Sequence, residues 1–200
     1  MARSTRETIL TATAELMRRK GYAAVGMKDI VAASGAPIGS LYHHFRGGKL
    51  QIAREALIDA GAAYGLLIPT IVDEYDDLGQ AVEGVFSQAA EDMSASGFVN
   101  MCPVGTVAAE TSDTVEELRV AAAGVFTAWL DGGAAYFAQR GVEPAKARDV
   151  TVALVAALEG AFILARTLRD VEPLLAAGRA LAPQYRGVAL GARVLTDAAN

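Results

Sequence analysis

Cysteine is all but missing from this chain: Cys102 is the only one in 200 residues, so an intrachain disulfide framework is excluded and a reducing compartment is expected. Histidine is almost as scarce. The two present, His43 and His44, are neighbours; adjacent positions on a helix diverge, and no Cys, Asp or further His stands at ligand spacing, so no metal site is expected. Their distance from Cys102 in the sequence argues against a Cys–His catalytic pair, and no other acid–base or nucleophile constellation stands out. Neither an enzymatic activity nor a cofactor is expected. The start shows no positively charged region leading into a hydrophobic signal segment, and no apolar run of membrane-spanning length is evident, so the expectation is a cytoplasmic protein with no membrane partner. Charged residues make up 20% of the chain and hydrophobic ones 52%, a balance that excludes disorder and supplies a sizeable core.

What charge there is falls unevenly. The formal net charge is -5, yet residues 1–60 hold nine Lys/Arg against five Asp/Glu, a formal +4, while the nine basic and eighteen acidic residues that follow sum to -9. A polyanion would meet attraction at the N-terminal end and repulsion elsewhere.

The N-terminal end also carries the most informative pattern. Between Thr5 and Lys20, Ile9, Leu10, Ala12, Ala14, Leu16 and Met17 recur at helical spacing, with Glu7 in the first turn and Arg18, Arg19 and Lys20 in the last, each sign suiting the helix dipole. Gly21 stops this helix, and Tyr22 is assigned to packing. Met27, Ile30, Val31 and Ala33 give the apolar face of a second helix over about 27–34, ended by Gly35, which can take the left-handed conformation. Pro37 restricts Ala36 and suits the start of a third helix over about 38–44, with Leu41, His44 and Phe45 as packing residues. The outer face of that helix displays Ser40, Tyr42 and His43, with Lys49 close behind, and Gly39 lets the backbone approach a ligand closely. Hydroxyls, an imidazole and an ammonium suit phosphate oxygens and base edges in a major groove. Arg3, in the terminal tail, is a candidate for the minor groove. Spacing alone also fits an ordinary αα-hairpin with no nucleic acid in sight.

The full string is more specific than the spacing. From Arg6 to Leu57 the chain closely resembles the DNA-binding domain of the TetR family of transcriptional regulators: Gly21-Tyr22, Asp29-Ile30, Gly35, and Gly39-Ser40-Leu41-Tyr42-His43-His44-Phe45 followed by Lys49. The resemblance implies that Tyr42 and His43 address phosphate and the groove and that Lys49 pairs with the DNA backbone. Two positions depart from it. Gly26-Met27 replaces the usual polar helix start, which weakens a cap, and Ile38 stands where a polar or basic residue is frequent, which removes a hydrogen-bonding candidate.

Beyond Lys49, a fourth helix continues into the sixties and is bent or ended by Pro69. A fifth is expected over Asp77 to Met93, and Pro103 can stand in the first turn of a short helix with Asn100 or Cys102 near its cap. The string Cys102-Pro-Val-Gly-Thr-Val-Ala-Ala-Glu110, with Gly47-Gly48-Lys49, resembles the LmrA/YxaF-like branch of the same family, which implies repression relieved by small hydrophobic molecules. Helices are expected over Val115 to Gln139 and from Pro144 to about Arg169, the latter apolar over a wide face. After Pro173, Leu174, Leu175, Leu181, Val188, Leu190, Val194 and Leu195 predict one or two final helices broken near Pro183. Family resemblance makes these last segments a dimer contact; completing a monomer core is the plainer use of the same faces.

These expectations combine into an all-α chain, with a three-helix helix-turn-helix domain over 1–48 and a helical ligand-binding and dimerisation domain over 49–200. The function they imply is a homodimeric transcriptional repressor on a partly palindromic double-stranded DNA operator, released by a small hydrophobic or aromatic effector. Phe86, Met93, Phe98, Met101, Cys102, Phe126, Trp129 and Phe162 are the candidate effector-binding residues. Cys102 also fits a small buried hydrophobe, Trp129 fits core as well as stacking on a flat ligand, and Glu83, Glu91 and Glu110 fit surface, capping or ligand hydrogen-bonding roles. An activator or ligand-unresponsive DNA-binding protein on the same fold, or a helical small-molecule carrier, are the alternatives.

Overall fold

A computed structural model describes residues 4–99 and 101–192. Arg3, Asn100, Val194 and Leu195, named above, lie outside the described residues. The chain is all-α, as expected: α1 (Thr5–Lys20), α2 (Met27–Ser34), α3 (Ile38–His44), α4 (Gly48–Gly65), α5 (Leu67–Val72), α6 (Leu78–Ala95), α7 (Pro103–Thr111), α8 (Glu116–Gln139), α9 (Pro144–Leu168) and α10 (Glu172–Leu181), followed by a 3-10 turn at Ala182–Tyr185. One antiparallel bridge, Asp77 to Ala189, joins extended backbone among the described residues. The chain forms two compact units, Met1–Tyr64 with Asn100–Phe126, and Gly65–Val99 with Thr127–Asn200. The 48/49 position expected as a domain boundary falls at the start of α4.

In the first unit, α1 packs on α2, α3 and α7. Its start is capped reciprocally: the Glu7 N–H donates to Ser4 Oγ (3.3 Å) and the Ser4 N–H to Glu7 Oε2 (2.8 Å), satisfying two donors that a bare helix end leaves unpaired. Ile9, Leu10 and Met17 of α1, Ile30 of α2, Leu41, Phe45, and Ile52 and Leu57 of α4 are all fully buried. On α4, Gly61 leaves room for Val125 of α8, whose methyl carbons occupy the place a Cβ would need.

In the second unit, α6 packs on α5, α9, α10 and the 3-10 turn. Phe86 lies against Gly178 of α10, where an added Cβ would stand 2.8 Å from the phenylalanine Cβ. Asp77 caps α6 by accepting from the Gln80 N–H (3.0 Å), and it also accepts from the Gly187 N–H (2.7 Å), which ties the chain after the 3-10 turn to the helix start. Residues 186–192 therefore run as non-helical backbone beside 76–78 rather than as a second final helix. The break after α4 comes at Leu66. Pro69 instead sits in the first turn of α5, where its missing N–H has no intrahelical partner to lose.

Two stretches, Gly48–Val72 and Pro144–Leu168, are long and apolar enough to span a membrane by length and composition, which corrects the expectation that no such run exists. Their charges cluster near the N-terminal ends, Lys49, Arg54, Glu55 and Asp59 in one and Lys146, Arg148 and Asp149 in the other, leaving Ala- and Leu-rich segments that are nearly uncharged. The buried residues of α9 are Ala147, Val150, Thr151, Leu154, Leu158, Ala161 and Ala165. Its other side is also apolar: Val152, Ile163, Leu164 and Leu168 are exposed, with Ala156 and Gly160 exposed between them, so a second apolar stripe repeats every four residues.

Arg140, at the end of α8, is 2% exposed and was not anticipated from sequence. Its guanidinium donates to the carbonyls of Gly191 (3.0 Å), Val72 (3.3 Å) and Tyr75 (3.2 Å), to Asp73 Oδ1 (3.0 Å) and to the Tyr136 hydroxyl oxygen (3.0 Å). The Tyr136 hydroxyl in turn donates to Asp73 Oδ1 at 2.6 Å. Burial first, and then this bond to a carboxylate, push the Tyr136 phenol up to about 12. A folded-state value raised above the ordinary phenol value of about 10 contributes stability that is complete below pH 10 and is lost as pH rises towards 12. Tyr22 and Tyr185 are raised as well, so Tyr136→Phe is expected to flatten, not abolish, the fall of the unfolding midpoint over that window. Denaturant titrations at pH 9 to 11.5 check it, and identical slopes for the two proteins refute it.

Candidate nucleic-acid interface

The support for α3 comes from ordinary local chemistry. Gly35 ends α2 at φ 66°, in the left-handed region, with its N–H on the Val31 carbonyl (3.0 Å), and Ser34 Oγ accepts from the Ala36 N–H (3.2 Å) as the chain turns. Pro37 then precedes α3. At the start of α2 the Gly26 N–H donates to Asp29 Oδ2 (2.8 Å); with no side chain on Gly26, the reciprocal half of a capping box is absent, which is the weaker cap expected there.

On α3, Leu41 is buried and Phe45, immediately after the helix, closes the same stripe four residues on. Gly39, Tyr42 and His43 are exposed and Ser40 is half-buried; Tyr42 is 56% exposed and Ile38 53%. His44, expected to pack, is exposed instead. It lies one position off the 41/45 stripe, and a seven-residue helix buries only that narrow line; its ring stands edge-on to His43 at 5.2 Å and to Phe45 at 6.2 Å. The helix thus offers a phenol, two imidazoles, a hydroxyl and an uncovered backbone at Gly39.

The surrounding cations divide into two groups. Arg6 is drawn into the fold, paired with Glu55 (2.6 Å) and 5.7 Å over the Phe45 ring, while Arg18 and Arg19 pair with Glu15 at 2.6 and 2.5 Å. Lys28 on α2 and Arg46 just beyond α3 are exposed, and neither was singled out from sequence although the excess of basic residues before position 60 pointed to their region. Lys49 rests half-buried, its ammonium 4.1 Å from the centre of the Tyr22 ring and 3.4 Å from the Ala23 carbonyl oxygen. Gly48, at φ 64°, makes the turn that delivers it, and the Gly47 N–H is taken by Gln51 Oε1 (2.8 Å).

The candidate effector-binding residues divide between the units. Phe86 and Met93 are fully buried in the hydrophobic cluster of the second unit, with Phe98 and Phe162 partly buried against it. Phe98 follows Gly97 with both residues at positive φ, 63° and 65°, and its N–H returns to the Met93 carbonyl (2.9 Å), a turn that folds the ring back onto α6. Trp129, half-buried on α8, places its indole against Gly65, 3.1 Å from where a Cβ would be. In the first unit Met101 and Cys102 are buried and Phe126 is half-buried. Cys102 caps α7: its Sγ accepts from the Gly105 N–H at 3.3 Å.

Comparison with known proteins agrees with both halves of the chain. The model for bacterial regulatory proteins of the tetR family matches residues 9–56, and that for the C-terminal domain of LmrA/YxaF-like transcriptional regulators matches residues 79–180. Among relatives, the HTH-type transcriptional regulator YxaF of Bacillus subtilis, itself uncharacterised, is 34% identical over 170 residues, covering 85% of this chain and 89% of its own. The regulator LmrA of the same organism is 32% identical over 170 residues, 85% of this chain and 90% of its own. A TetR regulatory protein from Rhodobacter sphaeroides shares the fold, with a TM-score of 0.78 and 23% identity, covering 90% of this chain and 98% of that one. A helix-turn-helix whose α3 keeps an exposed face, joined to a C-terminal half of this type, places the chain in the TetR family of bacterial DNA-binding transcriptional regulators, in its LmrA/YxaF-like group, and not among enzymes.

Proposed function

We propose that this regulator is a homodimeric repressor that reads a partly palindromic operator with two copies of α3 and releases it when a small hydrophobic or aromatic molecule binds the helical domain. In functional terms residues 1–48 are the reading head and residues 49–200 bind ligand and dimerise. The observation that carries the reading is the exposed face of α3, with Gly39, Ser40, Tyr42 and His43 presented on a fully buried Leu41/Phe45 stripe and Lys49 within the same unit. The second apolar stripe of α9 supports the dimer: a second copy of the same stripe covers it symmetrically, whereas a hydrocarbon environment would have to accept Lys146, Arg148, Asp149 and Arg166 on the same helix. Within the second unit, the partly buried rings of Phe98, Trp129 and Phe162 supply aromatic surface of the kind such a ligand requires, and the ligand acts by favouring a conformer whose reading heads no longer fit.

The test is selection of duplexes from a random pool by the purified protein, followed by anisotropy titration of the enriched duplex. Saturation at two chains per site with a two-fold related consensus is expected, and a selection that enriches nothing overturns the reading. Lys49→Ala is expected to weaken enriched and scrambled duplexes alike and to reduce the salt slope by about 1, the signature of one phosphate contact. Tyr42→Phe should cost roughly three- to tenfold on both. If either variant loses discrimination between the duplexes while keeping nonspecific affinity, its phosphate assignment is wrong.

A further inference from the structure

Glu110 lies on the penultimate residue of α7, and its carboxylate reaches back 88 positions in sequence to the turn between α1 and α2. Glu110 Oε2 accepts from the Tyr22 N–H at 2.5 Å and Oε1 from the Ala23 N–H at 2.8 Å. Both oxygens of one carboxylate are therefore engaged by two consecutive peptide groups just after α1, a bidentate, charge-assisted arrangement. Gly21 makes it possible. It ends α1 at φ 77°, and a Cβ there would collide with the Glu110 carboxylate, so the position is closed to a side chain both by its backbone conformation and by the space the carboxylate occupies. From the other side, Lys49 of α4 donates to the Ala23 carbonyl and covers the Tyr22 ring. The start of the six-residue connection, residues 21–26, is thus held by an acid from α7 and a base from α4.

We propose that Glu110 is the positioning residue through which α7 sets the α1–α2 turn, and with it the placement of α3 on DNA. The inference rests on the reading of α3 as the DNA-contacting helix. It adds a route for regulation. Cys102, one of the candidate effector-binding residues, caps α7 and Met101 precedes it, while Glu110 stands near the far end of the same nine-residue helix, about 13 Å long. Val104, Val107 and Thr111 are buried along that helix and tie its two ends to the same packed face. A displacement at its capped end arrives at the turn as withdrawal of the carboxylate. Two N–H groups then lose their acceptor, a local change with a readout at the operator.

The experiment uses the full chain and the duplex that the wild-type protein enriches from a random pool, with a scrambled duplex as reference. Glu110→Ala, Glu110→Gln and the wild type are compared by anisotropy, by thermal unfolding and by amide hydrogen exchange at Tyr22 and Ala23. Glu110→Ala is expected to weaken the enriched duplex about tenfold while the scrambled one changes less than about twofold, with faster exchange at the two amides. Glu110→Gln, which keeps one acceptor oxygen and turns a donor towards the other N–H, should fall between. A merely structural role predicts something else: a lower unfolding midpoint and equal losses on both duplexes, which overturns the proposal. So does Glu110→Ala binding the enriched duplex like the wild type, or unchanged exchange at Tyr22 and Ala23. Failure of the wild-type chain to enrich any duplex is a different result, since it removes the DNA-reading assignment of α3 itself and the inference with it.

Discussion

Replacing Arg140 with alanine is expected to destabilise the second unit by about 3–5 kcal/mol, the range for breaking a buried, multiply bonded ion pair by removing one partner. The side chain is 2% exposed and serves five acceptors at once, among them the carbonyls of Val72, Tyr75 and Gly191 and the Asp73 carboxylate. Alanine removes a donor from each of those carbonyls, of which Val72 keeps the Tyr75 N–H (3.1 Å), and takes the guanidinium from the Asp73 carboxylate. Asp73 can rehydrate, because its side chain is 30% exposed, which keeps the expected loss from running higher. Lysine should recover only part of it: a single ammonium cannot span acceptors on both the Val72–Tyr75 connection and the Gly191 segment as a planar guanidinium does. Urea unfolding followed by circular dichroism measures the difference. A midpoint for Arg140→Ala matching a loss below about 1 kcal/mol would mean that the carbonyls find water and that the network is incidental.

Truncating Phe45 to alanine should remove sequence-selective DNA binding and cost the first unit roughly 3–5 kcal/mol, the usual penalty for a fully buried phenylalanine. The ring is completely buried, sits one residue beyond α3, and carries the Arg6 guanidinium over its face. Because α3 has only seven residues, Leu41 and Phe45 are nearly all that anchors it, so the loss falls on the orientation of Tyr42 and His43 as much as on stability. Phe45→Leu, which keeps most of the volume, should cost under about 1.5 kcal/mol and retain binding. Anisotropy with the enriched duplex, at a temperature where circular dichroism shows the variant folded, separates the two effects. Wild-type affinity for Phe45→Ala under those conditions would show that α3 is held in place by something other than this stripe.

Much of the architecture can be read from local patterns. The three N-terminal helices fall where apolar spacing, Gly21, Gly35 and Pro37 put them, and α7 begins at Pro103 with Cys102 as its cap, because caps, breakers and helical periodicity act over a few residues. The errors occur where a local signal competes with packing. His44 shares the helical spacing of Leu41 and Phe45, yet a short helix buries one narrow stripe and leaves it in solvent. Pro69 reads as a helix terminator, but the break came at Leu66 and the proline was absorbed into the first turn of α5. The hydrophobic residues Val188 and Leu190 suggested a last helix, whereas the Asp77 carboxylate, the Asp76 carbonyl and the Arg140 guanidinium hold the backbone of that segment in non-helical form.

The residue strings alone were enough for the all-α class, the helix-turn-helix and the family, since these depend on short-range spacing and on motifs contiguous in the chain. Pairings made across long separations depended on the folded chain. Arg140 looks like any other arginine after a helix, and its carbonyl partners are backbone groups that every residue possesses, so no side-chain pattern marks them. Glu110 closes a recognisable motif, but its acceptance of the Tyr22 and Ala23 N–H groups requires α7 to pack on α1, and Gly21 reads as a helix stop long before it reads as space for a carboxylate. Which of α9's two apolar stripes is buried within its own unit and which is left exposed is likewise undetermined by a periodicity that both satisfy equally; only the neighbours α6 and α10 break that tie.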